Sequence, residues 1–462
     1  MADVASAPRR APAKRRKRAP RRRRKTARLR LPETFKARLL WIAGAGLLFR
    51  FAYVAFDVAG DRGFDDRQWF HDVSNNLAAG RGFISPFVFD FFGTVTPTAG
   101  HPPLWAAVLS VPAFFGLGSW TAQQFITAIV GAAAIGAVGY LGRRVGGDRI
   151  GLIAAGLAAI SPLLIARDGS LMSESLYGFL VILSLLATYR VVDKPVSRSA
   201  AIVGVLIGLA ALTRGEALLF LPVLGIAIWL RAKPKKVSRA RLLVVMVLAT
   251  VVTLTPWTIR NWIAFDEPVL ISLNEASVLA GANCDKTYNG PETGTWDITC
   301  LATANPNLTE PKQHAIWRKQ GLDYIGDHTG DLPRVMFYRV IRTWDLYEPS
   351  GQAHGDGRDY NVAVIGTWTY LLLLLPLGIW GAVRMYRQRK PLLILLSPFI
   401  VATLAAAATW GLTRLRHPAD LTLLVFDAVA LSAAYEALRW GRNAGRRRRV
   451  AVPHHPPRAA GL

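Results

Sequence analysis

The stretch from Asp57 to Pro103 gathers Asp61, Asp65, Asp66, His71, Asp72 and His101 into one polar segment directly after the first long apolar run. Ionisable groups crowded at the surface of a hydrocarbon-seeking chain are expected to do chemistry or to bind a ligand. Within FDDRQWFHDVSNNLAAGRGF, Trp69, Val73, Asn76 and Leu77 follow helical spacing and Gly80 is a natural stop, which predicts a helix opening at the Asp65-Asp66 pair. A carboxylate at that end is favoured by the helix dipole and the unpaired amides. Adjacent helical positions point about 100° apart. One aspartate can therefore cap the helix while the other faces a cleft as general base, in an order the residues leave open.

Further charged residues stand at the ends of apolar runs. Arg214 lies next to Glu216 in LTRGEALLFLP, Glu174 closes the turn after Arg167, and Arg414, Arg416 and His417 open the last run in TRLRHPAD. The planar guanidinium fork is shaped for bidentate contact with phosphate. A carboxylate together with several arginines thus points to an anionic lipid head group beside a base, with His71, Glu174 and Glu216 as candidate substrate contacts. His71, Asp72 and His101 could hold a divalent metal ion, but they lack a diagnostic spacing. A paired-carboxylate glycosidase is the weaker reading, because adjacent aspartates cannot straddle a sugar at about 5 Å or more.

The elements that must position these groups are membrane spans. Of the 462 residues, 52% are hydrophobic and the mean hydropathy is +0.27. The apolar residues come in runs, which indicates an all-α polytopic membrane protein. At about 20 residues per span, spans are expected near 37–57, 119–141, 150–167, 173–192, 199–213, 216–231, 241–260, 361–383, 391–410 and 417–438. Whether the apolar segment 102–118 crosses as well decides the topology. If it lies in the interface, the basic loops RRVGGDR, RVVDKPVSRS, RAKPKKVSRAR and RMYRQRK and both tails face the cytoplasm, as the positive-inside rule favours. The polar loops, including the long one that holds 14 of the 30 acidic residues, then share the other face.

The net charge of +26 belongs mainly to the tails. Residues 1–38 carry 16 Lys and Arg against Asp3 and Glu33, and residues 439–462 carry 7 with no acid. Such Pro- and Ala-interrupted runs are expected to be disordered anchors touching anionic lipid rather than nucleic acid. The expected organisation is a basic cytoplasmic tail 1–36, a transmembrane module 37–260 with a first extracytoplasmic loop 58–118, an extracytoplasmic loop 261–360, C-terminal spans 361–438 and a basic tail 439–462. Cys284 and Cys300, the only cysteines, fall in the long loop, where outside the cytoplasm a disulfide is expected. Helix-like spacing recurs at Glu310 to His328 and Asp331 to Tyr347.

The order of DDRQWFHDVSNNLAAGRGF, HPPLWAAVL, SPLLIARDGSLMSESLYGF, GLAALTRGEALLFLPVL and TRLRHPAD resembles bacterial family 39 glycosyltransferases, membrane enzymes of the GT-C fold related to protein O-mannosyltransferases and lipid A aminoarabinose transferases. The resemblance covers residues 37–260 well and the rest loosely. It implies a GT-C bundle of about 10 transmembrane helices and an active site at the extracytoplasmic face of a bacterial cell membrane. It also implies a polyprenyl-phosphate sugar as donor and a catalytic aspartate at Asp66 or Asp65. Arg214, Arg414, Arg416 and His101 would face the donor phosphate. The acceptor, whether protein, lipid or cell-wall glycan, stays open. Attack opposite the phosphate would invert the anomeric centre. The competing reading is a transporter or lipid-linked sugar flippase, which would place charges in mid-span.

Overall fold

In a computed structural model, residues 34–60, 62–63, 65–305, 308–349 and 360–450 are described. Residues 1–33 of the first basic tail and 451–462 of the second, together with Asp61, lie outside them, and the last helix runs through the first half of the second tail to Val450. Among the described residues the structure is helical, with a single isolated bridge between Ile84 and Pro97.

Among the described residues, six helices are long and apolar enough to cross a membrane: Phe35–Val58, Trp120–Gly146, Glu174–Asp193, Arg239–Phe265, Asn361–Arg387 and Thr413–Arg439. The pair Asp148–Ile160 and Pro162–Asp168 is long and apolar enough only when its two helices are taken together, and it is bent by 62° where Ser161 precedes Pro162, as a broken span or a re-entrant loop would be. A residue before proline is driven out of the α region, and Ser161 is accordingly extended. The protein is thus a multi-pass membrane protein. The other three expected spans are helices of reduced length, Ser197–Ala211, Phe220–Arg231 and Leu393–Ala408, so the count of ten holds only if these short helices cross as well. The segment 102–118 folds as Leu104–Phe114, 11 residues long. At 1.5 Å per residue it reaches about half of a hydrocarbon core.

For reference, Phe35–Tyr53 is α1, Asp66–Ala78 is α2, Pro86–Phe92 is α3, Leu104–Phe114 is α4, Trp120–Gly146 is α5, Asp148–Ile160 is α6 and Pro162–Asp168 is α7. Glu174–Asp193 is α8, Ser197–Ala211 is α9, Phe220–Arg231 is α10 and Arg239–Phe265 is α11. Asn274–Gly281, Asp285–Tyr288 and Glu310–Asp327 are α12 to α14, and Leu332–Thr343 is α15.

Apolar spans gain little from hiding side chains that lipid solvates equally well, so close packing by small residues carries their association. Helices α5 and α6 show this: a Cβ on Gly151 would stand 2.5 Å from the carbonyl oxygen of Gly139. Buried ion pairs add directional ties. Arg50 of α1 donates to Asp168 at the end of α7 (2.6 Å) and to the carbonyls of Gly46, Ala158 and Ala159, while Ser175 donates to the other Asp168 oxygen.

The basic loops meet at one end of the bundle. There Arg144 pairs with Asp193 and Lys390 donates to the Val145 carbonyl. At the opposite end sit α2 to α4 and an insertion made of α12 to α15. A disulfide between Cys284 and Cys300 closes part of that insertion.

Candidate active site

At this second end, Asp65 has extended backbone and accepts the Arg67 amide (2.8 Å), while the Arg67 side chain folds back onto the same carboxylate at 2.9 Å. Asp65 is the helix cap. One position on, the Asp66 carboxylate points elsewhere, 3.2 Å from Arg414 Nη2 and 3.6 Å from His101 Nε2. The helix ends at Ala78, and Gly80 takes a left-handed φ of +77°.

Arg414 comes from the single turn Thr413–Arg416 that precedes the last helix. Arg167 of α7 holds that turn by donating to the Thr413 carbonyl (2.8 Å) and pairing with Asp420. From this position Arg414 also lies 3.5 Å from Glu174 and 3.3 Å from the Met172 sulfur. Glu174 opens α8 just after Leu171, whose φ of +56° is uncommon for a residue with a side chain. The Trp105 indole donates to the Leu171 carbonyl at 3.2 Å and keeps the turn in place. Glu174 in turn accepts from Arg214 Nη1 (2.7 Å), and Arg214 Nε donates to Glu216 (2.5 Å). Neither bond uses Arg214 Nη2. The result is a continuous file of His101, Asp66, Arg414, Glu174, Arg214 and Glu216, drawn from five separate parts of the chain.

Electrostatics divides the file into charged and neutral members. Burial pushes the Asp66 carboxyl up, but His101, Arg414 and Arg214 together outweigh it and hold the group below the usual carboxylate range. Burial lowers His101, Asp66 pulls it back up, and the two arginines push it down again; the net shift is downward, so the imidazole is neutral at neutral pH. For Arg214, burial is opposed by Glu216 and Glu174, and its pKa is raised. An ionised carboxylate, a neutral imidazole and two permanent cations can accept a proton at one point and hold a phosphate beside it.

Two residues expected at the site lie elsewhere. Arg416 is fully buried, donates to Asp345 (2.6 Å) and the Thr343 carbonyl (3.0 Å), and stands 3.2 Å from Asp420 as an ion pair, with its guanidinium over the Tyr370 ring. Two steps along a tight turn send its side chain away from Arg414, so it braces the turn and does not join Arg414 beside Asp66. His71 lies on the far side of α2 from Asp66. Its Nδ1 faces Gln123 Oε1 (2.9 Å) and its Nε2 faces the Asn75 amide (3.2 Å), both ring nitrogens being spent on structure. It lines a separate cavity of about 350 Å³ with Gln68, Asp72 and Trp120. There burial and Asp90 push Asp72 up to about 6. His71, Asp72 and His101 therefore do not converge, and among the described residues no three His, Cys, Asp or Glu side chains are grouped so as to hold a metal ion. Glu174, expected to touch substrate, is 2% exposed and holds two arginines instead.

Sequence reading missed the supports of the loop that ends at His101. Glu310, the first residue of α14, bonds Thr98 and Ala99, and Arg260 near the end of α11 donates to the carbonyls of Phe83 (2.6 Å) and Thr98 (2.9 Å). Glu310 looks like an ordinary first-turn acid, and nothing local separates it from one.

Residues 100–258 match the family model described as dolichyl-phosphate-mannose-protein mannosyltransferase. That stretch carries His101, Glu174, Arg214 and Glu216, with Asp66 and Arg414 on either side of it. A comparison with curated proteins finds no match. Among solved structures, the Archaeoglobus fulgidus oligosaccharyltransferase tethered with an acceptor peptide containing the NVT sequon is similar at TM-score 0.51 and 17% identity, over 87% of this chain and 50% of that one. The same enzyme in complex with Zn and sulfate gives TM-score 0.51 and 18% identity over 87% and 50%. ArnT from Cupriavidus metallidurans in the apo state gives 0.40 and 16% over 85% and 76%. The chain spans about half the length of the oligosaccharyltransferase, and at these identities the likeness is one of fold. That fold is the all-α GT-C architecture, in keeping with the family resemblance carried by the motifs.

Proposed function

We propose that this protein is a GT-C membrane glycosyltransferase that moves a sugar from a polyprenyl-phosphate donor to an acceptor hydroxyl, with Asp66 as general base. The observation that carries the reading is the Asp66 carboxylate held 3.2 Å from Arg414 at the end of the bundle away from the basic loops. By the positive-inside rule this end is extracytoplasmic. The match of residues 100–258 to a family described by a lipid-phosphate-linked mannose donor supports the donor class. The acceptor peptide in the archaeal enzyme of the same fold makes a protein acceptor one of the candidates, beside a lipid or a glycan.

In this reaction the acceptor oxygen attacks the anomeric carbon as its proton passes to Asp66. The bond from that carbon to the phosphate oxygen breaks, and its electron pair leaves with the lipid phosphate. A phosphate is already a good leaving group, so no strong acid is required; the need is for a base, typically worth 10² to 10⁴ in rate, and for cations at the departing charge. Arg414 and Arg214 supply the cations. Their present partners are carboxylates, so an arriving phosphate competes for Arg414, loosens its hold on Asp66 and makes that carboxylate more basic. Attack from the face opposite the phosphate inverts the anomeric centre.

The test is transfer in membranes from a panel of labelled polyprenyl-phosphate sugars, with the anomeric configuration of the product read by NMR. Transfer with inversion is expected from at least one donor. Failure with every donor, against an active control enzyme in the same membranes, would overturn the reading.

A further inference from the structure

We propose that Glu310 is a positioning residue for His101, so that the insertion, and not the membrane bundle alone, sets the geometry around Asp66. Glu310 Oε1 accepts from the Thr98 hydroxyl (2.8 Å) and Oε2 accepts from the Ala99 amide (2.8 Å). The Gly100 amide donates to the same Thr98 hydroxyl at 3.1 Å. One carboxylate therefore organises three consecutive residues that lead directly into His101.

The same segment is gripped from two other sides. The Thr98 carbonyl accepts from Arg260 at 2.9 Å, and the Ala99 carbonyl accepts from the Leu273 amide at 2.9 Å. One helical turn after Glu310, His314 Nδ1 donates to the Leu273 carbonyl at 2.7 Å, so α14 holds the strand-like loop both directly and through Leu273. Thr98 and Ala99 are each 1% exposed. Buried polar groups that lose a partner carry the full desolvation cost, and removal of Glu310 would impose it on the Thr98 hydroxyl and the Ala99 amide. His101 follows two residues later, its ring against Trp69 at 4.8 Å and Phe70 at 5.4 Å, its Nε2 facing Asp66.

The experiment compares the full chain in nanodiscs as wild type, Glu310→Ala, Glu310→Gln and Thr98→Val, with diethyl pyrocarbonate as the probe and the modification rate of each histidine read by mass spectrometry. His101 is 16% exposed in its side chain and is expected to react slowly in the wild type. Glu310→Ala should speed its modification at least tenfold. Glu310→Gln, whose amide can accept from Ala99 and donate to Thr98, should stay within about twofold of wild type. His71, on the far side of α2, is the internal control and should not change. Unchanged His101 reactivity in Glu310→Ala would overturn the proposal. If His71 accelerates together with His101, the variant has lost its fold, and Thr98→Val then decides by the same comparison: a rise of about threefold at His101 alone supports the proposal and no rise sinks it. The second arm rests on the glycosyl-transfer reading. With whichever polyprenyl-phosphate sugar proves active, Glu310→Ala should lower kcat about tenfold at unchanged donor KM, and Glu310→Gln should restore it. Absence of transfer from every donor would count against that reading, while the histidine arm would still decide the role of Glu310.

Discussion

Asp65 and Asp66 are neighbours in sequence with different partners: Arg67 claims the first, Arg414 and His101 the second. The helix start and the rotation between adjacent positions were legible in the residues; the direction in which that rotation points was not, because Arg414 lies 348 positions away. The lowered pKa of Asp66 has a signed consequence. Its ionised form is favoured by folding, so its contribution to stability is present above the ordinary value of 3.8 and is lost as pH falls below it. Replacing Arg414 by Ala removes a cation and should raise the Asp66 pKa, which isotope-edited infrared titration of the carboxylate would detect. Asp72 behaves in the opposite sense. Its folded pKa of about 6 lies above the unfolded one, so the ionised carboxylate opposes folding at high pH and the penalty vanishes as both states become protonated. Asp72→Asn should therefore raise the melting temperature at pH 8 and lose that advantage by about pH 4, as thermal-shift measurements in detergent would show.

At the scale of elements, apolar runs marked all six helices that are long enough to cross a membrane among the described residues, because hydrocarbon length leaves little freedom in how a span is written. Ionic ties between elements were harder to see. Arg416 sits two residues from Arg414 in a tight turn and serves Asp345 and Asp420, a division set by the turn's rotation and by partners outside any local pattern. Arg50 is another such tie, joining α1 to the end of α7 through Asp168. Removing one member of a buried pair leaves the other charge unsolvated at a cost of about 3–5 kcal/mol. Arg50→Met should thus destabilise the protein by that order, and the double change with Asp168→Asn should recover much of it. Unfolding in graded SDS, followed by tryptophan fluorescence, would measure both.

For the whole molecule, charge asymmetry along the chain is the most informative signal, since it assigns loops to opposite ends. The contacts agree in substance: Arg144, Asp193, Val145 and Lys390 gather at one end, and Asp66, Glu174, Arg214 and Arg414 at the other. Reporter fusions at Lys235 and Asn289 should report cytoplasmic and extracytoplasmic positions respectively, and a cytoplasmic Asn289 would reverse the orientation proposed for the site. How the insertion reaches the first loop was not legible, because the bond from Thr98 to Glu310 closes a separation of 212 residues between two segments that each look locally ordinary. The most direct test of the account is the rate of sugar transfer from the active polyprenyl-phosphate donor in Asp66→Asn and Asp65→Asn membranes at matched protein levels. Asp66→Asn should lose about 10² to 10⁴ in rate, whereas Asp65→Asn, whose amide oxygen can still cap α2, should stay within about tenfold of wild type. Transfer by Asp66→Asn at the wild-type rate would contradict the assignment of Asp66 as the base.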